Sequence, residues 1–212
     1  MRQLSIIFLL FFTILFGLTS LPSYSALSGG IDYSIPVDYS HLSEAELQSK
    51  ALDYFRIARQ LPDYTLDSDM TNALLLYSIL QNKNPENVVY SMRLGILYDK
   101  LGKDRLAKGN LSRAISIDPY AAAPYFYFGE YYYKRQQYRQ ALRYYKKAQE
   151  YSTGMNSAVN YRLGDIYQKL GDTKSSLEHL KRAAQDTNSA ELQNKIKRVE
   201  MLDAENTQYY KK

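Results

Sequence analysis

Two histidines, no cysteine and 22 tyrosines set the chemical repertoire of this 212-residue chain. Without cysteine there is no thiol nucleophile, no thiolate metal site, no disulfide and no cysteine to carry a lipid. His41 lies ahead of the helical region. His179 stands beside Glu178 and Lys181 and reads as a solvated surface residue. No nucleophile elbow, phosphate-cradling glycine loop, zinc-type His/Glu pair or calcium loop is present. The carboxylates Glu130 and Asp165 fall on separate helices, where such groups serve solubility. The residues therefore predict no catalytic group, no metal ligand and no cofactor, and the chain reads as a non-enzyme.

The segment from Tyr120 to Tyr151 is the other chemically suggestive stretch. It holds ten of the 22 tyrosines, interleaved with Arg135, Arg139, Arg143, Lys146 and Lys147. Aromatics among cations can stack single-stranded nucleic acid. However, Arg139, Arg143, Lys146 and Lys147 follow one another at i, i+4, i+7 and i+8, which puts them on one outer helix face. A solvated face or a contact with an anionic surface suits that spacing better than nucleic acid. The net charge of +5 reads as mild and spread over many helices. Asn110-Leu111-Ser112 is a formal glycosylation sequon, but it falls inside a helical pattern.

The elements that position these residues begin with a leader. Arg2 precedes an apolar run from Ile6 to Leu18, Pro22 ends it, and Ser23-Tyr24-Ser25 supplies small residues where a signal peptidase reads. This predicts a cleavable signal over 1–25. The alternative is an uncleaved anchor, because Leu4 to Leu21 reaches the lower length of a membrane span. Residues 26–42, with Ser28-Gly29-Gly30 and Pro36, read as a flexible linker. The composition (45% hydrophobic, 23% charged) is that of a folding chain, and the pattern from Ser43 onward is helical. Ser43 with Glu46 forms a capping-box signature.

Internal repetition sets the fold class. Leu94-Gly95 with Tyr98 recurs as Phe128-Gly129 with Tyr132 and as Leu163-Gly164 with Tyr167, spaced by 34 and then 35 residues. Ala107, Ala141 and Ser176 keep the same spacing, as do Leu111, Tyr145 and Leu180, and Ala114, Ala148 and Ala183. Glycine inside a helix costs about 0.5–1 kcal/mol relative to alanine, so glycines at one phase need a packing reason. Close approach of two antiparallel helices supplies it. Upstream, Ala73, Tyr77 and Pro85 lie in step with Ala107, Leu111 and Pro119. Leu61 to Met70 interposes a loop that displaces the first helix of this degenerate unit, with Ala51 and Tyr54 at its small and tyrosine positions.

These units resemble the tetratricopeptide repeat family, whose pattern combines Leu-Gly-x-x-Tyr, a later alanine and aromatic, and a closing proline. The resemblance covers about residues 44–188. The leading aromatic is kept at Tyr125 but not at Ser91 or Asn160, and Thr153 and Asn188 replace the closing proline. It implies an all-α fold: an α-solenoid of antiparallel helix pairs over 43–188, with three clear repeats and one degenerate N-terminal repeat. Residues 189–212 read as a C-terminal capping helix with an apolar stripe of Leu192, Ile196, Val199 and Leu202.

In such arrays the first helices line a concave groove. Carried onto this sequence, the inward offsets give Met92, Ile96 and Asp99, then Phe126, Glu130 and Tyr133, then Tyr161, Asp165 and Gln168. Arg93, Tyr127 and Arg162 take the shoulder. The lysine and asparagine clamp that chaperone-binding members use is replaced by Met92, Ile96, Phe126 and Glu130. Aromatics among carboxylates suit a protein or peptide ligand with apolar and basic side chains. The resemblance thus implies a scaffold or adaptor of the cell envelope or periplasm, touching the membrane only through an uncleaved leader. The alternative is a structural envelope protein that meets glycan or anionic membrane through a basic outer face. The leader reading predicts a mature chain beginning at Ala26. Intact-mass measurement on exported protein checks this, and retention of residues 1–25 supports the anchor instead.

Overall fold

The computed structural model describes residue 39 and residues 41–153, 156–187 and 189–209. The expected leader and nearly all of the linker lie outside the described residues. The chain divides into two units, residues 1–41 and 42–212, and every helix described below belongs to the second.

The helices are α1 (Glu44–Gln60), α2 (Ser68–Lys83), α3 (Val88–Lys100), α4 (Asp104–Ile117), α5 (Ala122–Lys134), α6 (Tyr138–Tyr151), α7 (Asn156–Lys169), α8 (Thr173–Ala183) and α9 (Ala190–Tyr209). A short 3₁₀ turn, Ala184–Asp186, follows α8, and no strand occurs among the described residues. Local chemistry fixes several starts. Ser43 and Glu46 make the reciprocal bonds of a capping box, Ser43 N donating to Glu46 Oε2 at 2.9 Å and Glu46 N to Ser43 Oγ at 3.3 Å. Asp67 accepts from Met70 N at 2.8 Å and Asp172 from Ser175 N at 2.9 Å.

The pairs α1–α2, α3–α4, α5–α6 and α7–α8 pack as antiparallel hairpins, and successive first helices α1, α3 and α5 also touch. The glycine phase explains how closely each pair approaches. A Cβ built on Gly95 would stand 2.7 Å from Leu111 Cγ, and one on Gly164 2.7 Å from Leu180 Cγ. On Gly129 it would stand 2.8 Å from the Tyr145 ring. The residues opposite are therefore Leu111, Tyr145 and Leu180, with the buried Ala107, Ala141 and Ser176 one turn earlier. Ser176 keeps the alanine's small volume and satisfies its hydroxyl by donating to Gly164 O at 2.7 Å.

The turns between first and second helices repeat as faithfully as the helices. Lys103 N donates to Tyr98 O, Gln137 N to Tyr132 O and Asp172 N to Tyr167 O, at 2.8, 3.0 and 2.9 Å. This is the helix ending that needs one left-handed residue. Gly102 and Gly171 provide it, while the third pair uses Gln136 at φ 56°.

The interposed loop of the first unit is shorter than its sequence suggests. Asp67 caps α2, so Met70 is a fully buried helical residue and not part of the loop. The loop is folded onto the next unit: Tyr64 N donates to Lys100 O at 2.7 Å, and the Tyr64 ring lies against Gly102. At the other end, α9 packs Leu192, Ile196 and Val199 against Leu180 and Ala183. Leu202, expected in the same stripe, is 43% exposed, although Asp203 beside it still accepts from Thr173 at the start of α8.

Gly129→Leu should cost about 1–3 kcal/mol or more, the range for core overpacking, because the Tyr145 ring is fully enclosed. Gly109 lies in α4 with nothing within 4 Å of a built Cβ. Gly109→Ala should therefore stabilise by about 0.5–1 kcal/mol. Urea denaturation of both variants checks the pair, and an unchanged midpoint for Gly129→Leu would contradict the contact.

Candidate binding face of the first helices

The predicted groove residues lie on α3, α5 and α7, and the structure gathers part of them into two clefts. The larger, about 510 Å³, is walled by Phe126 of α5, by Ala158, Tyr161 and Arg162 of α7, and by Leu192 of α9. Ser157, Thr187, Ser189 and Glu191 supply its polar rim. The smaller, about 180 Å³, gathers Ile96, Asp99, Tyr127 and Glu130 with Arg59 and the lysines Lys100 and Lys134.

Five predicted residues line neither cleft, and four of them, Met92, Arg93, Tyr133 and Asp165, make contacts between elements instead. Met92 rests half-buried against the cluster of Ala107, Leu111, Phe128 and Tyr131. Arg93 lies 5.3 Å from the ring centres of both Phe55 and Tyr77 and donates to the Tyr77 hydroxyl. Tyr133 donates to Asp165, which is buried. Gln168 is half-buried on α7 and lines neither cleft.

The carboxylates differ most from expectation, for none of the three faces the groove uncompensated. Glu130 accepts two bonds from Arg162, at 2.6 Å from Nε and 2.8 Å from Nη2, and a third from the Tyr145 hydroxyl. Asp165 accepts from Tyr133 and from Lys195 of α9. Asp99 pairs with Lys134 at 3.0 Å and with Arg135 at 2.7 Å. Each inward carboxylate thus binds a cation two helices further on, at the next first helix or, for Asp165, on α9, so charge ties one repeat to the next. Bonds to ionised groups contribute more than neutral ones, and here the geometry is held on both sides.

The titration of these groups follows from that arrangement. Burial raises the Tyr145 hydroxyl far above its ordinary value and the charge of Glu130 raises it further. Tyr133 is raised by burial and then by Asp165. Both phenols therefore stay protonated and act as donors. Burial alone would raise the Asp165 carboxyl, yet the bonds from Lys195 and Tyr133 outweigh it and hold the carboxyl below its ordinary value. Arg162 follows the same logic with the opposite sign: burial would lower it, and Glu130 holds it raised.

His179 is not the solvated residue its neighbours suggest. Its ring stacks on Tyr167 at 5.4 Å and 11°, Nδ1 lies 2.9 Å from Asn160 Oδ1, and burial lowers its basicity. Arg139, Arg143, Lys146 and Lys147 are exposed, as their spacing implies. Among the described residues no three His, Asp or Glu side chains converge to hold a metal ion. Sequence reasoning missed the contribution of α9 and the segment before it. Leu192 was legible as core-facing, but nothing in its spacing tells that Glu191 and Lys195 turn toward α7.

Residues 132–198 match a family model described as tetratricopeptide repeat. No curated protein matches the chain by sequence. Among solved structures, the fold is similar to PilW, described as a widely conserved type IV pilus biogenesis factor, at 18% identity over 75% of this chain and 69% of that one, TM-score 0.62. It is similar to the Pseudomonas aeruginosa protein pilF at 15% identity over 78% and 76%, TM-score 0.62. It is also similar to MamA at 19% identity over 79% and 90%, TM-score 0.57. At these identities the likeness is one of fold. The family model and the solved structures together support the tetratricopeptide repeat reading of the helix pairs.

Acidification tests the charge ties. A carboxyl held below its unfolded value stabilises the fold above that value, and the contribution is lost as pH falls through the folded one. Wild-type stability should therefore decline as pH drops below the ordinary carboxylate value of 3.8. Lys195→Met should be less stable at neutral pH and lose less over the same acid window. Urea midpoints across that range check the slope, and parallel curves for the two proteins would contradict it.

Proposed function

We propose that this protein is a non-enzymatic scaffold or adaptor of the cell envelope that binds a protein partner on its first-helix face. The cleft between α5, α7 and α9 carries the reading. Phe126, Ala158, Tyr161 and Leu192 offer one apolar wall, and Glu191 stands exposed at its rim with no ion pair to another described residue. Because Glu130 and Asp165 are already taken by Arg162 and Lys195, Glu191 is the carboxylate available to a basic side chain of the partner. A partner segment presenting a large apolar side chain next to a lysine or arginine fits this chemistry. The signal-like sequence of residues 1–25 supports the envelope reading, and no described helix is long and apolar enough to cross a membrane.

Tyr161→Ala combined with Glu191→Lys should abolish capture of the partner from the cell's own envelope fraction. Because the Tyr161 ring also packs on the Leu180–Leu192 cluster, Glu191→Lys alone serves as the control, weakening capture while melting stays near wild type. Truncating an aromatic anchor commonly costs about 2 kcal/mol or more of binding. Phe126 is a poorer probe, because its ring packs on Tyr145 at 5.5 Å and its loss disturbs the core. Arg143→Glu with Lys147→Glu on the outer face should leave capture intact. The reverse pattern, loss only with the outer-face pair, would replace this reading with binding through the basic face.

A further inference from the structure

The positive charge of the helical unit is concentrated, not spread as the sequence alone suggests. The second helices α4, α6 and α8 carry ten lysines and arginines against three carboxylates, whereas α3, α5 and α7 carry five against three. Within that surplus, Arg105, Arg139 and Lys174 are each the second residue of their helix, and they recur at the 34- and 35-residue spacing of the glycines. Side chains in register across stacked repeats form a row. All three are exposed, and none makes an ion pair with another described residue.

Helix stability does not account for this row. The first turn is the positive end of the helix dipole, where a cation is unfavourable. In α4 and α6 no side-chain cap compensates, since neither Lys103 nor Gln137 makes a capping bond. The row at the other ends of the same helices behaves differently. Arg113 donates to Pro85 O, Lys147 pairs with Glu150 at 2.8 Å and Arg182 with Glu178 at 2.7 Å.

The first-turn row runs beside the first-to-second turns, and those turns expose apolar side chains. Tyr64, seated on Gly102, is 78% exposed, Leu106 beside Arg105 is 48% exposed, and Leu170 ahead of Lys174 is 40% exposed. The carboxylates at this end are engaged. Asp63 pairs with Lys100 at 3.1 Å, Asp99 with Lys134, Asp104 with Arg135, and Asp172 caps α8.

We infer that this end of the array docks on an anionic lipid surface. Cations alone would suit a nucleic acid or an acidic protein equally. Leu106 and Leu170 interleaved with them suit a bilayer interface, which accepts charge at the headgroups and apolar side chains just beneath. A layer of headgroups also needs no cleft: a cleft of about 410 Å³ opens at this end between Tyr64, Gly102, Asp104 and Arg135, but none of Arg105, Arg139 and Lys174 lines it. The turns sit at the C-terminal ends of the first helices, while the larger cleft lies toward the N-terminal ends of α7 and α9. Docking would leave that cleft open.

Cosedimentation of the full chain with vesicles tests this, comparing mixed phosphatidylglycerol and phosphatidylcholine with phosphatidylcholine alone. The apolar leader is common to every variant and contributes equally to each. The combined variant Arg105→Gln, Arg139→Gln, Lys174→Gln should lose about 100-fold in affinity for the anionic vesicles, about fivefold per cation. Arg113→Gln, Lys147→Gln, Arg182→Gln removes the same charge from the opposite row and should lose no more than a few-fold. Leu106→Ser with Leu170→Ser should lower the binding that persists at high salt to the level that the leader alone supplies. Equal losses for the two charge variants, or wild-type binding no tighter to anionic than to neutral vesicles, would overturn the inference. Binding to a DNA duplex or to polyglutamate without binding to vesicles would assign the row to another class of partner and overturn it equally.

Discussion

The whole array rests on one contact, the approach of each first-helix glycine to a large residue of its partner helix. At Gly95, Gly129 and Gly164 the facing atoms of Leu111, Tyr145 and Leu180 stand where a side chain would otherwise be. With the helices this close, three buried layers form per pair: the alanine layer, the leucine or tyrosine layer, and the second alanine layer of Ala114, Ala148 and Ala183. The in-register turns with a left-handed residue follow from the same constraint, because two helices at short range leave only a tight connection. Glycine is therefore tolerated in three helix interiors for what the neighbouring helix gains.

Charge links the pairs that glycine assembles. Asp99, Glu130 and Asp165 each bind a cation two helices further on, and Tyr145 and Tyr133 add protonated hydroxyls to two of those carboxylates. These groups fix the position of one repeat against the next, and in doing so they neutralise the face they line. The cleft surface of Phe126, Tyr161 and Leu192 carries little uncompensated charge apart from Glu191. The excess positive charge lies instead on the second helices. The two faces of one solenoid thus carry different chemistry.

The fold was legible in the sequence because repetition converts weak local signals into a strong one. A single helical glycine says little, whereas three at one phase with alanines in step require close helix pairs. The boundary of the first unit was less legible, since only the bond from Met70 N to Asp67 places Met70 in a helix. Part of the lining of the candidate cleft was legible in the sequence, but its chemistry was not. Offsets put Phe126, Tyr161 and Arg162 on one cleft, but periodicity carries no record of pairing between elements 30 residues apart, such as Lys195 with Asp165. His179 failed for the same reason, because its partners Tyr167 and Asn160 lie on a neighbouring helix. The row of Arg105, Arg139 and Lys174 was present in the repeat register from the start, yet its exposure and its lack of close ion pairs among the described residues needed the structure.

The central claim is that the partner sits in the cleft between α5, α7 and α9. A photo-reactive phenylalanine analogue placed at Ala158, an exposed residue on the cleft wall, tests it in the living cell. The account predicts a crosslink to a single partner from Ala158 and none from the same probe at Arg143. A crosslink from Arg143 with none from Ala158 would contradict it.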